Sequence, residues 1–157
     1  VLPTIRSRCV SFAIAPVSPA DCARYCTAHG VDKKTAALYS ELFDGHIGTV
    51  LTAARDKART EQVDKAMELA RAAQAGDSYT AAVLLAPYEK DKAGAAALLR
   101  DLRAVAAAGL QGSPHAPVQG QQAQRTLRLA EAAIQRLGAQ VNPKIVLTVF
   151  AARLAHA

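Results

Sequence analysis

The sequence lacks tryptophan, and aromatic residues make up only 4% of its 157 positions. It contains no run of about 18 apolar residues, the length that a transmembrane helix needs, so we expect no membrane partner. The glycine-rich Gly-x-x-x-x-Gly-Lys-Ser/Thr loop that cradles nucleotide phosphates is missing. No acid–base pair or base-activated nucleophile is apparent either. These absences argue against a membrane protein and against a self-contained enzyme.

Cysteine is scarce as well, with three residues and no spacing typical of a disulfide framework. Cys22 and Cys26 are four apart on a predicted helix and therefore share a face. We interpret them as small core residues in a reducing cytoplasm. The alternative, half of a metal site, needs two more ligands, and His29 is the only candidate nearby. We therefore predict no metal site.

Alanine is abundant and supplies much of the 51% hydrophobic content. It is the strongest helix former and lets helices pack closely, so the composition favours an all-α protein. The net charge of +6 permits contact with nucleic acid or with acidic proteins. However, the lysines and arginines are scattered and form no run of five or more, so charge alone identifies no partner.

The N-terminal stretch departs from this helical pattern. Pro3 disfavours a helix around it. From Val10 to Ile14, large apolar residues alternate with small ones, which predicts a short N-terminal strand. Just before it, Arg6 and Arg8 flank Ser7. At the edge of a sheet, the planar guanidinium of Arg8 would suit phosphate oxygens; the alternative is a local salt bridge.

The residues Thr4-Ile5-Arg6-Ser7-Arg8-Cys9 resemble the Ser-Arg-Cys motif of the AAA+ clamp-loader subunits of bacterial DNA polymerase III. The resemblance implies that Arg8 is a trans arginine finger for ATP bound by a neighbouring subunit. Ser7 and Cys9 would be structural members of the motif. Such fingers stabilise the charge that develops in phosphoryl transfer. ATP and Mg would sit on the neighbouring subunits, so no cofactor and no catalytic activity are expected of this chain itself.

The same resemblance implies a division of the chain into three parts. Residues 1–15 would be the tail of an AAA+ nucleotide-binding domain, residues 16–57 a three-helix lid, and residues 58–157 a helical collar for oligomerisation. Because the chain starts at Val1, inside the motif, we expect it to be the C-terminal part of a longer protein. Any phosphate loop or zinc module would then lie upstream.

Capping residues predict the three helices of the lid. Ser18, followed by a proline, opens the first helix, which stops at Gly30. Asp32 opens the second helix, which ends at Asp44-Gly45. The third begins near His46.

The start of the third helix distinguishes members of the family. ATP-hydrolysing subunits carry a Gly-x-x-Arg pattern there, whose sensor-2 arginine touches the bound nucleotide. Here Gly45 fits the pattern but Gly48 stands in the place of the arginine. A finger without a sensor resembles the delta-prime type of subunit, which donates a finger but does not hydrolyse ATP. The alternatives are a gamma/tau-type subunit and, outside the family, a non-enzymatic helical protein-interaction module.

Beyond the lid, helical spacing of apolar residues continues to the C-terminus. The charged segment Arg55–Glu61 is predicted to join lid and collar, and Gly109–Gly120 is predicted to be a mobile loop. In the amphipathic segment Asp91–Ala108, we expect three charged residues to be solvated, namely Arg100, Asp101 and Arg103. The other predicted helices run from Val63 to Gly76, from Tyr79 to Ala86, from Thr126 to Leu137, and from Asn142-Pro143 onward.

The final helix carries apolar residues on more than one side. We therefore expect it to be buried between other helices or against another subunit, and Ile145, Val149 and Phe150 are the candidates for a subunit contact. The resemblance implies a delta-prime-like subunit in a cytoplasmic hetero-oligomer that loads the sliding clamp onto primed DNA during replication. Its partners would be the gamma/tau and delta subunits through the collar, and the clamp and primed DNA through the complex.

Overall fold

The computed structural model describes residues 15–155, so the predicted N-terminal strand lies outside the described residues. Within this range the chain is all-helical, with eight α-helices, one short 3-10 turn and no strand. The all-α class is thereby confirmed for this part of the protein. The helices are α1 (Pro19–Ala28), α2 (Lys33–Leu42), α3 (Ile47–Arg55), α4 (Lys57–Ala75), α5 (Ser78–Leu85), α6 (Lys92–Leu110), α7 (Gly120–Gly138) and α8 (Pro143–Ala155).

Short polar side chains set where most of these helices begin. The first backbone N–H groups of a helix have no partner within it, and a capping oxygen satisfies them. The Ser18 hydroxyl accepts from the N–H of Asp21 at 3.1 Å, and the Asp32 carboxylate accepts from that of Lys34 at 3.0 Å. Asn142 caps α8 in the same way. The three helix starts predicted from these residues are confirmed.

The capping hydrogen bonds also lower the pKa of two of these carboxylates. The pKa of Asp32 is lowered, first by the hydrogen bond from the backbone N–H of Thr35. The pKa of Asp77, which caps α5, is lowered first by the hydrogen bond from the Thr80 hydroxyl. In both carboxylates the oxygens accept hydrogen bonds from N–H or O–H groups, and these bonds favour the charged form.

One continuous hydrophobic core extends from Cys22 in α1 to Leu154 in α8. Helix α6 lies at its centre and packs against α2, α4 and α7. The apolar stripe predicted for α6 is confirmed, since all of its members are at most 1% exposed: Ala95, Leu98, Leu99, Leu102, Val105 and Ala106. Many core positions are alanines, which is how so many short helices approach one another closely.

The segment predicted as a mobile loop is shorter than expected. Helix α6 continues to Leu110, and α7 already begins at Gly120 rather than at Thr126. The first turns of α7 are rich in glutamine and contain Ala123, which is fully buried. The apolar spacing that indicates a helix is absent from these turns, because glutamine favours helices without adding to an apolar stripe.

The loop that remains, residues 111–119, packs against the helices. Ala116 and Val118 are buried, and the Ser113 hydroxyl donates to the Glu41 carboxylate of α2. Gly109 permits this approach, because a Cβ there would overlap the carbonyl oxygen of Val118. The small residues that suggested mobility allow this close contact, and the mobility of the loop stays a prediction.

The charged segment at residues 55–61 is not an extended connection. Helix α3 ends at Arg55 and α4 begins at Lys57, so only Asp56 lies between them, and its carboxylate caps α4. The predicted boundary between lid and collar falls at this break, while the hydrophobic core continues across it.

A search of the described helices for a span long and apolar enough to cross a membrane found none.

Candidate functional site

The residues of the predicted finger motif, Ser7, Arg8 and Cys9, lie outside the described residues. The segment that follows them enters the described structure at Ala15 and runs to Val17. There it lies beside the start of α3 and borders the same groove as the predicted sensor position. The structure therefore describes the part of the candidate site that leads away from the motif.

Gly45 fixes this arrangement. Its backbone has a φ of 71°, the left-handed region that favours glycine. A Cβ at this position would overlap the carbonyl oxygen of Val17. Its N–H donates to the carbonyl of Ser40 at 2.9 Å, which ends α2. No other residue type would let the chain after the motif pass so close to the turn between α2 and α3.

Gly48 lies in the first turn of α3 and has the opposite environment. It is exposed, and a Cβ built there would meet no atom within 4 Å. Neither backbone strain nor crowding therefore requires glycine at this position. A long side chain such as arginine would fit, and the chain has none.

The groove between these residues has a volume of about 360 Å³ and is lined by Ala15–Val17 and Gly45–Thr49. The described lining contains no lysine, arginine or carboxylate. His46 caps α3 without a side-chain hydrogen bond to the helix, and its Nδ1 lies 2.7 Å from the carbonyl oxygen of Phe43, to which it donates. The groove thus offers backbone N–H groups at the start of α3 but no charged side chain to hold a phosphate.

The cysteine pair is part of the core. Cys22 and Cys26 are free thiols with no exposed surface, which confirms their interpretation as core residues. Burial raises the pKa of Cys26, and the neighbouring Cys22 raises it further. His29 is exposed, and its Nδ1 bonds to the carbonyl of Tyr25 at 2.8 Å. In residues 15–155 no group of three or more His, Cys, Asp or Glu side chains could hold a metal ion.

The sequence interpretation missed a buried ion pair. Asp101 is only 6% exposed, so the prediction that it is solvated is wrong, whereas Arg100 and Arg103 are exposed as expected. The Arg59 guanidinium donates hydrogen bonds to both carboxylate oxygens of Asp101, and its Nη2 lies 2.5 Å from Oδ1. These hydrogen bonds are the first cause of the raised pKa of Arg59.

Two more groups complete this cluster. The amide of Gln62 donates to Asp101 at 2.8 Å, and the Arg59 guanidinium lies 5.6 Å from the centre of the Phe43 ring at the end of α2. The signal in the sequence was the position of Asp101, which is three residues after Leu98 and so borders the apolar stripe of α6.

A second groove lies between α5 and α8 and has a volume of about 350 Å³. Apolar side chains are exposed on these two helices, with Tyr79 at 78% and Ile145 at 58%. Phe150, by contrast, is 2% exposed and belongs to the core. Of the two alternatives for the final helix, Phe150 therefore fits burial between helices of this chain, and Val149 is half-buried.

Comparison of the chain with protein-family models, with curated proteins and with solved structures gave no match. Only the residues of this chain therefore bear on its function. The described lining of the groove beside Gly48 carries no charged side chain, and the groove between α5 and α8 is lined mostly by apolar side chains.

Proposed function

We propose that this chain is a delta-prime-like subunit of a DNA polymerase III clamp loader. In this role it helps to load the sliding clamp onto primed DNA and donates Arg8 as a trans arginine finger to ATP on a neighbouring subunit. Residues 16–57 would be the lid and residues 58–157 the collar. The gamma/tau and delta subunits would bind through the collar, and ATP and Mg would remain on the neighbours.

The environment of Gly48 is the observation that carries this proposal. Gly45 packs under the segment that leads from the motif, while Gly48 stands in open space at the start of α3. Space for a sensor arginine exists there, but the chain provides no side chain. A protein with Arg8 and without a sensor suits action on a neighbour's nucleotide rather than on its own. This supports the delta-prime type over the gamma/tau type.

The chemistry assigned to Arg8 follows from the charge of phosphoryl transfer. Negative charge spreads over the γ-phosphate oxygens in the transition state, and a guanidinium stabilises it through two parallel hydrogen bonds. In well-studied GTPases such a finger increases the rate by about 10³–10⁵-fold.

The proposal predicts a specific defect for Arg8→Ala in the full-length protein within its reconstituted complex. ATP turnover stimulated by clamp and DNA should fall sharply, while subunit assembly stays near normal. Arg8→Lys should recover little activity, because an ammonium group cannot reproduce the planar fork of a guanidinium. Arg6→Ala is the matched control and should have a much smaller effect, since Arg6 lies outside the Ser-Arg-Cys triplet.

Normal ATP turnover with Arg8→Ala would reject the finger. A second candidate function would then remain, a non-enzymatic helical protein-interaction module. The exposed apolar side chains of Tyr79, Val83 and Ile145 on α5 and α8 favour that alternative. In that case Ile145→Ser should weaken partner binding while Arg8→Ala changes nothing.

A further inference from the structure

Residues 111–119, which connect α6 to α7, form a strap that is tied to the helices at both ends. At its start, the N–H of Ser113 donates to the carbonyl of Ala108 in the last turn of α6, at 3.0 Å. At its end, the N–H of Gln119 donates to the side-chain oxygen of Gln74 in α4, at 2.9 Å. The Gln119 amide also donates to the carbonyl of Ser113 at 3.0 Å, which joins the two ends. The strap is therefore held to both α4 and α6.

Packing holds the middle of the strap. Ala116 and Val118 are at most 4% exposed. The carbonyl of Val118 lies so close to Gly109 of α6 that a Cβ there would overlap it. Close packing of this kind leaves the strap little room to shift relative to α6.

The Ser113 hydroxyl reaches from the strap to α2. Ser113 is 8% exposed, and its hydroxyl oxygen accepts from the N–H of His115 at 3.2 Å. The hydroxyl itself donates to the carboxylate of Glu41, a half-buried residue in the last turn of α2. Hydrogen bonds to a charged group are among the stronger ones in proteins. This one joins the strap, in the predicted collar, to α2, in the predicted lid.

The same turn of α2 holds the segment that leads from the predicted finger motif. Ser40, next to Glu41, accepts through its carbonyl from the N–H of Gly45 at 2.9 Å. Gly45 in turn lies against the carbonyl of Val17, with no space for a Cβ between them. A continuous path of contacts therefore runs from α6, through the strap and the end of α2, to residues 15–17.

We propose that Ser113 and Glu41 are positioning residues, whose hydrogen bond sets where the segment that leads from Arg8 lies against the lid. This inference rests on the proposed function, in which Arg8 meets a phosphate on a neighbouring subunit. The strap carries the orientation of α6 to the end of α2, and Gly45 carries it to Val17. A misplacement of about 1 Å can lower a rate about 100-fold, so a contact far from the nucleotide can affect the reaction.

Hydrogen exchange of the backbone amides, measured by NMR on the whole chain, tests the path of contacts without the complex. In Ser113→Ala the N–H of Gly45 should exchange about tenfold faster or more, because the end of α2 loses a hydrogen bond to a charged group. The double variant Ser113→Ala, Glu41→Ala should exchange no faster than Ser113→Ala alone, since both changes remove the same contact. Thr27→Ala is the control and should leave exchange at Gly45 unchanged, because the exposed Thr27 hydroxyl bonds within α1, to the carbonyl of Ala23 at 2.8 Å.

ATP turnover by the reconstituted complex tests the positioning role. With Ser113→Ala in the full-length protein, kcat should fall by about tenfold while KM for ATP stays the same, because an arginine finger acts in the transition state. Glu41→Gln keeps an accepting oxygen in the same place and should lose less, and Thr27→Ala should lose nothing. A hydrogen bond that only stabilised the fold would lower the melting temperature without changing kcat.

An unchanged kcat in Ser113→Ala, beside a clear defect in Arg8→Ala, would overturn this inference whatever the exchange at Gly45 shows, and would leave the proposed function standing. Normal turnover in Arg8→Ala would reject the proposed function and the positioning role together. NMR order parameters below about 0.6 for residues 113–118 of the parent protein would also overturn the inference, because a mobile strap cannot hold α2.

Discussion

Asp101 ties together parts of the protein that are distant in sequence. Its carboxylate accepts from Arg59 and Gln62 of α4, while Arg59 also contacts the Phe43 ring beyond α2. Burying a charge costs free energy, and the pair offsets this cost only while both partners are present. The contribution of Asp101 to stability is therefore best measured by the free energy of unfolding that is lost when Arg59 has no carboxylate partner.

We predict that Asp101→Ala lowers the free energy of unfolding by about 3 kcal/mol, the lower end for breaking a buried pair, because Arg59 keeps 26% of its side chain exposed. Urea denaturation followed by circular dichroism measures this change. Arg103→Ala on the exposed face of the same helix is the control and should change stability by less than about 0.5 kcal/mol. Similar values for the two variants would mean that the ion pair contributes nothing.

At the scale of an element, the start of α3 has two glycines with different reasons to be there. Gly45 is required by a left-handed backbone and by the approach of Val17. Gly48 has a helical backbone and open surroundings, so the fold does not explain it. An unexplained glycine inside a helix is a reason to look to function.

The two positions should respond in opposite directions to the same substitution. Gly45→Ala should destabilise the protein, by about 1–2 kcal/mol from the left-handed backbone alone, and the overlap with Val17 adds to that loss. Gly48→Ala should stabilise it by about 0.5–1 kcal/mol, because alanine favours a helix over glycine. Thermal melts of the two variants beside the parent protein measure both changes. A destabilising Gly48→Ala would mean that a packing role for Gly48 has been overlooked.

The buried side of the final helix, α8, depends on its neighbours. Its sequence is apolar on several sides, and the period alone did not say which side faces the core. The structure buries Phe150 and leaves Ile145 exposed. Only the positions of α5 and α7 beside α8 decide between the two, because a helix has no preferred face until its neighbours are present.

For the whole molecule, the links between the predicted lid and collar are substantial. The Ser113 hydroxyl donates to Glu41, the Arg59 guanidinium lies 5.6 Å from the centre of the Phe43 ring, and the hydrophobic core runs through both parts. Domains that share a core and buried polar contacts usually unfold together.

We therefore predict that residues 16–57 and 58–157 unfold in one cooperative transition. Differential scanning calorimetry should give one peak, with a calorimetric enthalpy equal to the van't Hoff enthalpy. Two separate peaks, with hydrogen exchange showing that α1 to α3 open first, would contradict this. The lid would in that case be an independent unit.

The sequence by itself determined the helical class of the described residues, the caps at Ser18, Asp32 and Asn142, and the buried stripe of α6. These features are local: capping needs a side chain within three residues, and a stripe needs only the helical period. The motif around Arg8 was also visible in the sequence, and its role remains a proposal.

Tertiary structure decided the features that depend on distant residues. The partner of Asp101 is 42 residues away and that of Ser113 is 72 away. No local pattern specifies such contacts, because they depend on how helices pack. Gly45 and Gly48 look alike in the sequence, and only the passage of Val17 distinguishes them.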